Sequence, residues 1–267
     1  MVISLIDTHA HLDMPEFDSD LFGVISRAKE AGVKRIISIG IDLLSSGAAI
    51  KLSESYEGIF ATVGIHPHNA REATKRDMSE IEKLASRPCV VAIGEIGLDY
   101  HYQPVDKQSQ IRLLNWQLAL AKWLNLPIVI HCREAEEDLL PILTDWCAGG
   151  KKKGNRSLGV IHCFGGDLEI ARKYIEMGFF VSLGAYIGYP SARHLHNSIR
   201  HIPLDKLLIE TDCPFLPPQK YRGRRNEPAF VHFTLQALAN ITGNTQKTIA
   251  DRTTVNANQL FKLEVID

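Results

Sequence analysis

Short runs of apolar, β-forming residues recur eight times along the chain, at 3–7, 35–40, 59–64, 90–94, 128–131, 159–162, 179–183 and 207–210. They are rich in Val, Ile and Leu and nearly continuous, the pattern of strands buried on both faces rather than one. Amphipathic segments lie between them. One, over 21–30, stops at Gly32; another, over 108–124, carries Leu113, Leu114, Leu118, Leu120 and Ala121 at helical spacing and ends before Pro127. Trp116 and Trp123, seven apart in that segment, are expected to form a stripe facing the core. Successive runs are spaced by roughly 22 to 36 residues, the size of a strand–helix–strand unit. Eight such units in 267 residues predict an α/β protein, a single (β/α)8 barrel of the TIM type, with one domain over residues 1–267. An open doubly wound sheet is the rival. It usually carries a glycine-rich turn after its first strand, where Asp7-Thr8-His9 stands instead.

Composition narrows the function classes. Hydrophobic residues make up 45%, enough for a large core, and the formal net charge is −1. Without a global positive field, a protein that coats nucleic acid is not expected, although an enzyme acting on a few phosphates needs only local charge. The five cysteines (Cys89, Cys132, Cys147, Cys163, Cys213) are odd in number and lack Cys-x-x-Cys spacing. That argues against a disulfide framework or a thiolate zinc site and favours a reducing compartment. The first apolar run is broken at Asp7, and no window approaches the length of a membrane span, so a soluble, cytoplasmic protein is expected. The lysine triplet at 151–153 joins a helix to the next strand and is expected to be a solvated loop on the barrel face away from the chemistry.

The chemistry sits where the runs end. His9 and His11 follow the first, His66 and His68 the third, Glu95 and Asp99 the fourth, His131 and Arg133 the fifth, His162 the sixth, and Glu210 and Asp212 the eighth. In a barrel all these ends open on one mouth, and eleven histidines scattered at random would rarely gather there. On a regular strand Asp7, His9 and His11 share a face, so both imidazoles reach a common ion without bending the backbone. His9, His11, His131 and His162 with Glu95 and Asp212 exceed one tetrahedral shell and suit two divalent ions bridged by a carboxylate. Mixed nitrogen and oxygen donors fit zinc, manganese, iron or cobalt, or magnesium with more waters. Asp212 is expected to act also as the base that takes a proton from the attacking water.

These motifs carry a resemblance. Asp7-Thr8-His9-Ala10-His11-Leu12-Asp13, Gly64-Ile65-His66-Pro67-His68, Gly94-Glu95-Ile96-Gly97-Leu98-Asp99-Tyr100, Ile130-His131-Cys132-Arg133, His162-Cys163-Phe164-Gly165-Gly166, Glu210-Thr211-Asp212-Cys213-Pro214 and Arg225-Asn226-Glu227-Pro228 are similar to those of the TatD family, metal-dependent deoxyribonucleases among the amidohydrolase-like barrels. The resemblance runs in family order from residue 4 to about 262. It implies that His9, His11 and Asp212 hold one ion, His131 and His162 the other, and that Glu95 lies between them as ligand and catalytic group. Amidohydrolases bridged by a carboxylated lysine need Lys after the fourth strand, and Glu95 stands there instead. Gly166 replaces a frequent Ser and leaves the ligand set untouched.

Substrate contacts are expected from His66 at the mouth, from Arg133 as a phosphate clamp, and from the tract at 221–228, with Arg225 foremost. Asp99 and Glu210 are expected to orient ligand imidazoles, and Tyr100 and His101 to reach a nucleotide. His194 and His196 form a second His-x-His in a helical or loop segment, where the rings diverge, and are read as surface groups. Cys132 and Cys163 are read as core thiols and Asp42 as a polar rim residue. The chain is thus expected to be a phosphodiesterase, exonuclease-like, acting on DNA at ends or frayed single strands, as a monomer or weak oligomer. The alternative is a hydrolase of a small ester, amide, lactone or phosphoester.

Overall fold

The computed structural model describes residues 3–148 and 158–263; the lysine triplet at 151–153 lies outside them. The chain begins with β1 (Leu5–Ala10), α1 (Leu21–Glu30), β2 (Val33–Ser38) and α2 (Leu43–Ser55). It continues through β3 (Ile59–Val63), α3 (Lys75–Ala85), β4 (Val90–Asp99), α4 (Lys107–Leu124), β5 (Ile128–Arg133) and α5 (Glu136–Ala148). The last part is β6 (Gly159–Ile161), α6 (Leu168–Met177), β7 (Phe179–Leu183), α7 (His196–His201), β8 (Leu207–Ile209), α8 (Val231–Thr242) and α9 (Gln246–Phe261). The strands pair in parallel in the order β1 to β8, forming a (β/α)8 barrel. No helix among the described residues is long and apolar enough to cross a membrane.

Local chemistry explains the element ends. Asp42 caps α2 reciprocally with Ser45, so this rim residue is a helix cap, and Thr74 and Asp77 cap α3 in the same manner. Asn125 takes the left-handed conformation that ends α4, just before Pro127. Ile6, Ile37, Val91, Val129, Val160, Phe180 and Leu208, from seven strands, fill the barrel interior together with Leu260, Phe261 and Leu263 from the end of α9. A larger apolar layer lies between strands and helices. Each fully buried Val, Leu, Ile or Phe contributes about 1.5–3 kcal/mol relative to exposure.

Two expectations change. The run at 90–94 is the first half of a ten-residue strand, so Glu95 and Asp99 lie within β4 rather than beyond it. Trp123 is 68% exposed, on the outer face of α4 with the half-buried Trp116. Spacing of seven keeps two side chains on one helical face but does not say which face is buried, and Leu113, Leu114 and Leu118 take the inner one. Cys132 and Cys163 pack against the apolar core, as expected, although Cys163 lies beyond the end of β6.

The barrel seam is also where chemistry begins. Ala10 and Cys213 form a parallel bridge; the Asp212 N–H donates to the His9 carbonyl (2.9 Å) and the His11 N–H to that of Cys213 (2.8 Å). Gly97 in β4 pairs with His131 in β5, has φ +151°, and an added Cβ would lie 1.9 Å from the His131 carbonyl oxygen. Gly97→Ala is therefore expected to destabilise the protein by at least about 3 kcal/mol in thermal or urea unfolding. Gly47→Ala in α2, where nothing lies within 4 Å of the new methyl, is expected to stabilise by about 0.5–1 kcal/mol.

Candidate metal centre

Six side chains from separate elements meet at the carboxyl ends of the strands. His9 belongs to β1 and His11 follows it; Glu95 lies within β4, His131 on β5, His162 just beyond β6 and Asp212 beyond β8. Left-handed backbone at Cys163 (φ 47°) and Asp212 (φ 57°) turns the chain sharply after two of these strands. Both turns are held: the Cys163 N–H donates to Glu210 Oε1 (2.7 Å), and Asp212 is bound to the seam.

Glu95 is central. Its Oε2 lies 3.3 Å from His9 Nε2 and 3.8 Å from His11 Nε2. Its Oε1 lies 2.8 Å from both His131 Nδ1 and His162 Nε2. Asp212 Oδ1 completes the first group at 3.7 Å from His9 Nε2 and 3.4 Å from His11 Nε2. His9 Nε2 and His11 Nε2 are 3.3 Å apart, as are His131 Nδ1 and His162 Nε2. The His9 and His162 rings stack at 3.9 Å, joining the two groups.

Proton placement shows that this donor set fits cations. His131 Nε2 faces Asp99 Oδ2 at 3.0 Å, so the neutral ring donates there and presents a bare Nδ1 to Glu95 and His162. His162 Nδ1 points toward Glu210 Oε1 at 3.6 Å, leaving Nε2 for the centre. With these rings neutral, their inward nitrogens would offer converging lone pairs to a cation. Charge agrees. Burial opposes ionisation of Glu95, yet the His162, His9 and His66 rings hold it well below the usual carboxylate range. Asp212 is likewise held down, against burial, by its hydrogen bond with His11 and by neighbouring imidazoles. Burial disfavours charge on His131 and His162, but hydrogen bonds and attraction to Glu95, Asp99 and Glu210 raise both above the ordinary histidine value. His9 is pushed down by burial and by His162. Buried carboxylates thus draw protons onto imidazoles, and divalent cations supply the same charge by displacing them. Ligand atoms of His9, His11 and Asp212, and of His9, Glu95 and His162, lie within 4.8 Å of one another.

His66, Glu95 and His131 form a third such group. His66 Nδ1, however, accepts the His68 N–H at 3.2 Å. Burial holds the His66 ring neutral, so its proton sits on Nε2, 3.6 Å from Glu95 Oε1. His66 is a hydrogen-bond donor at this centre, not a lone pair.

The other expected residues are distributed unevenly. Arg133 is exposed at the rim, its guanidinium 5.2 Å from the Tyr102 ring centroid, and no carboxylate pairs with it among the described residues. Arg225 is engaged elsewhere. Its two terminal nitrogens reach Asp20 at 2.7 and 2.9 Å, and it also donates to the Glu16 carbonyl at 2.5 Å. Tyr100 is buried and donates to Asp138 (2.8 Å), while His101 pairs with Glu134 (2.6 Å). The Asp7 carboxylate is engaged by Thr211 rather than by the imidazoles. It accepts from Thr211 N (2.9 Å), Thr211 Oγ1 (2.6 Å) and the His9 N–H (3.3 Å). Burial pushes its carboxyl up to about 7 despite those bonds.

Sequence reasoning missed several participants. His68 shares Asp99 Oδ2 with His131 at 3.0 Å, and its spacing of two from His66 was a usable signal. Asn226 is buried and donates to the Thr211 (2.8 Å) and Phe215 (2.6 Å) carbonyls, pinning the turn that carries Asp212; the Arg225-Asn226-Glu227-Pro228 motif marked the position without giving its role.

Residues 6–262 match the family model described as TatD related DNase. The chain is 42% identical over 260 residues to the uncharacterized metal-dependent hydrolase YabD of Bacillus subtilis, covering 97% of this chain and 99% of that one. It is 36% identical over 265 residues to the 3'-5' ssDNA/RNA exonuclease TatD of Pantoea ananatis, covering 97% and 100%. The crystal structure of YJJV, a TatD homolog from Escherichia coli K12, superimposes with a TM-score of 0.92 at 30% identity over 99% of this chain and 100% of that one. By the match of its sequence to the family model and of its fold to a TatD homolog, the chain belongs to the TatD family of metal-dependent hydrolases.

Proposed function

We propose that this hydrolase cleaves phosphodiester bonds of single-stranded DNA, in an exonuclease-like manner, at a two-cation centre. The observation that carries the reading is the division of Glu95. One oxygen faces His9 and His11, which Asp212 also contacts, and the other faces His131 and His162. His9, His11, Glu95, His131, His162 and Asp212 would hold two divalent cations, which would supply positive charge to the phosphoryl oxygens and lower the pKa of the attacking water. Asp212, its carboxyl held ionised, takes the proton from that water as the new O–P bond forms and the bond to the departing sugar oxygen breaks. His66 donates its Nε2–H toward a phosphoryl oxygen from the same side as Glu95 Oε1. Arg133, free of carboxylates among the described residues, meets a neighbouring phosphate. Arg225 supports the mouth indirectly. Through Asp20 it ties the segment after β8 to the one between β1 and α1, a pairing Arg27 extends to Glu227. The relative named as a 3'-5' ssDNA/RNA exonuclease supports the nucleic-acid reading.

Purified, metal-loaded protein is expected to degrade single-stranded DNA. No cleavage with any divalent metal, while a small ester, lactone or amide turns over, removes the nuclease reading. Asp212→Asn is expected to lower kcat by about 10²–10⁴-fold; a variant that keeps most of the activity excludes Asp212 as the base. His66→Ala is expected to reduce kcat/KM about 10–100-fold with bound metal, by elemental analysis, unchanged. Metal loss in that variant would make His66 a ligand instead. Chelation is expected to lower the melting temperature by about 5–10 °C, reversed by adding divalent metal.

A further inference from the structure

Two aromatic rings stand in water at the lip of this centre. Tyr102, on the loop after β4, is 59% exposed, and Phe215, after β8, is 46% exposed. Neither is remote from the chemistry. The Tyr102 ring meets His68 edge to face at 5.3 Å, and His68 shares Asp99 with His131. Phe215 meets the His11 ring in the same manner at 5.9 Å. Tyr102 thus borders the His131–His162 half, Phe215 borders the His9–His11 half, and Glu95 lies between. Arg133 is positioned over Tyr102, its Nη1 3.4 Å from the phenol oxygen, so cation and ring are presented together. The Asn226 side chain, bonded to the Phe215 carbonyl, anchors the other ring's backbone.

The geometry points to a pair of nucleobase subsites, with Tyr102 and Phe215 stacking on the bases that flank the scissile phosphate. This inference rests on the nuclease reading and gives it a specificity device. A phosphate seated at Glu95 sends one nucleoside toward each half of the centre, and each half carries one exposed ring. Stacking needs a base face that is free, which a single strand offers and a paired duplex does not. Every base has such a face, so the two rings select for strandedness and not for sequence. Arg133 beside Tyr102 serves the adjoining phosphate, coupling a backbone contact to a base contact.

The test uses single-stranded oligonucleotides carrying 2-aminopurine at the terminal or the penultimate position, with full-length, metal-loaded protein and its Tyr102→Leu, Phe215→Leu and Tyr102→Phe variants. Both side chains are solvent-exposed, and matching melting curves will establish that the variants fold. The parent is expected to change the fluorescence of the probe at both positions. Each leucine variant is expected to lose the change at one position and to raise KM for the oligonucleotide about tenfold, with kcat altered less than about threefold. Tyr102→Phe, which keeps the ring, is expected to retain signal and KM. If the parent cuts DNA but both leucine variants keep the fluorescence change and KM, the subsites are excluded while the nuclease reading stands. If the parent turns over small esters yet neither cuts nor binds the oligonucleotides, the nuclease reading falls and the subsites fall with it.

Discussion

A buried carboxylate with two differently employed oxygens governs this molecule. Glu95 is 3% exposed, and ionising it there is unfavourable unless positive charge is brought close. Four imidazoles converge on it, and Asp212 adds a second buried anion. The pocket therefore requires cationic charge as a condition of its own geometry. Protons on imidazoles meet part of that requirement, and divalent cations meet it better because they accept several lone pairs at once. The ten-residue β4 follows from the same need. It carries Glu95 and Asp99 on one continuous strand, with Gly97 between them where β5 approaches too closely for a side chain.

Around that centre, a second set of polar groups decides what each ring can offer. Asp99 accepts from Nε2 of His131, and Glu210 lies 3.6 Å from Nδ1 of His162, so the opposite nitrogens turn toward Glu95. The His68 backbone does the reverse to His66, claiming its Nδ1 and leaving an N–H at the centre. Three histidines of one cluster thus acquire different chemistry from their hydrogen-bond partners rather than from their identity. The same economy appears at the barrel seam. Hydrogen bonds joining His9 and His11 to Asp212 and Cys213 close the barrel and set the first ligand group together, with Asp7 and Thr211 clamped beside them.

Charge at the mouth depends on pairing more than on number. With a net charge of −1, attraction for a polyanion has to be local. Arg225 is bound bidentately by Asp20, and its positive charge is largely neutralised in place. Arg133 keeps its charge because it rests on an aromatic ring and not on a carboxylate. Two arginines on the same side of a barrel therefore differ in what they can do for a substrate.

The chain alone determined the alternation of strands and helices, their approximate limits and the arrival of acids and histidines at one end. Buried parallel strands need continuous apolar runs, and helices need their own periodicity, both of which are local patterns. It also determined Glu95 and the five residues that meet around it, since all follow or lie within strands that end at one mouth. Partner choice was decided only in three dimensions. Asp20, 205 residues from Arg225, claims its guanidinium; Thr211, 204 residues from Asp7, draws that carboxylate away from the imidazoles; and Asp138 takes Tyr100. Nothing in the local pattern ranks such long-range pairings, because their strength depends on burial and approach that the fold itself creates. The exposure of Trp123, Tyr102 and Phe215 has the same origin. A side chain's type states what it prefers, and only the packed tertiary structure states which neighbours remain to satisfy it.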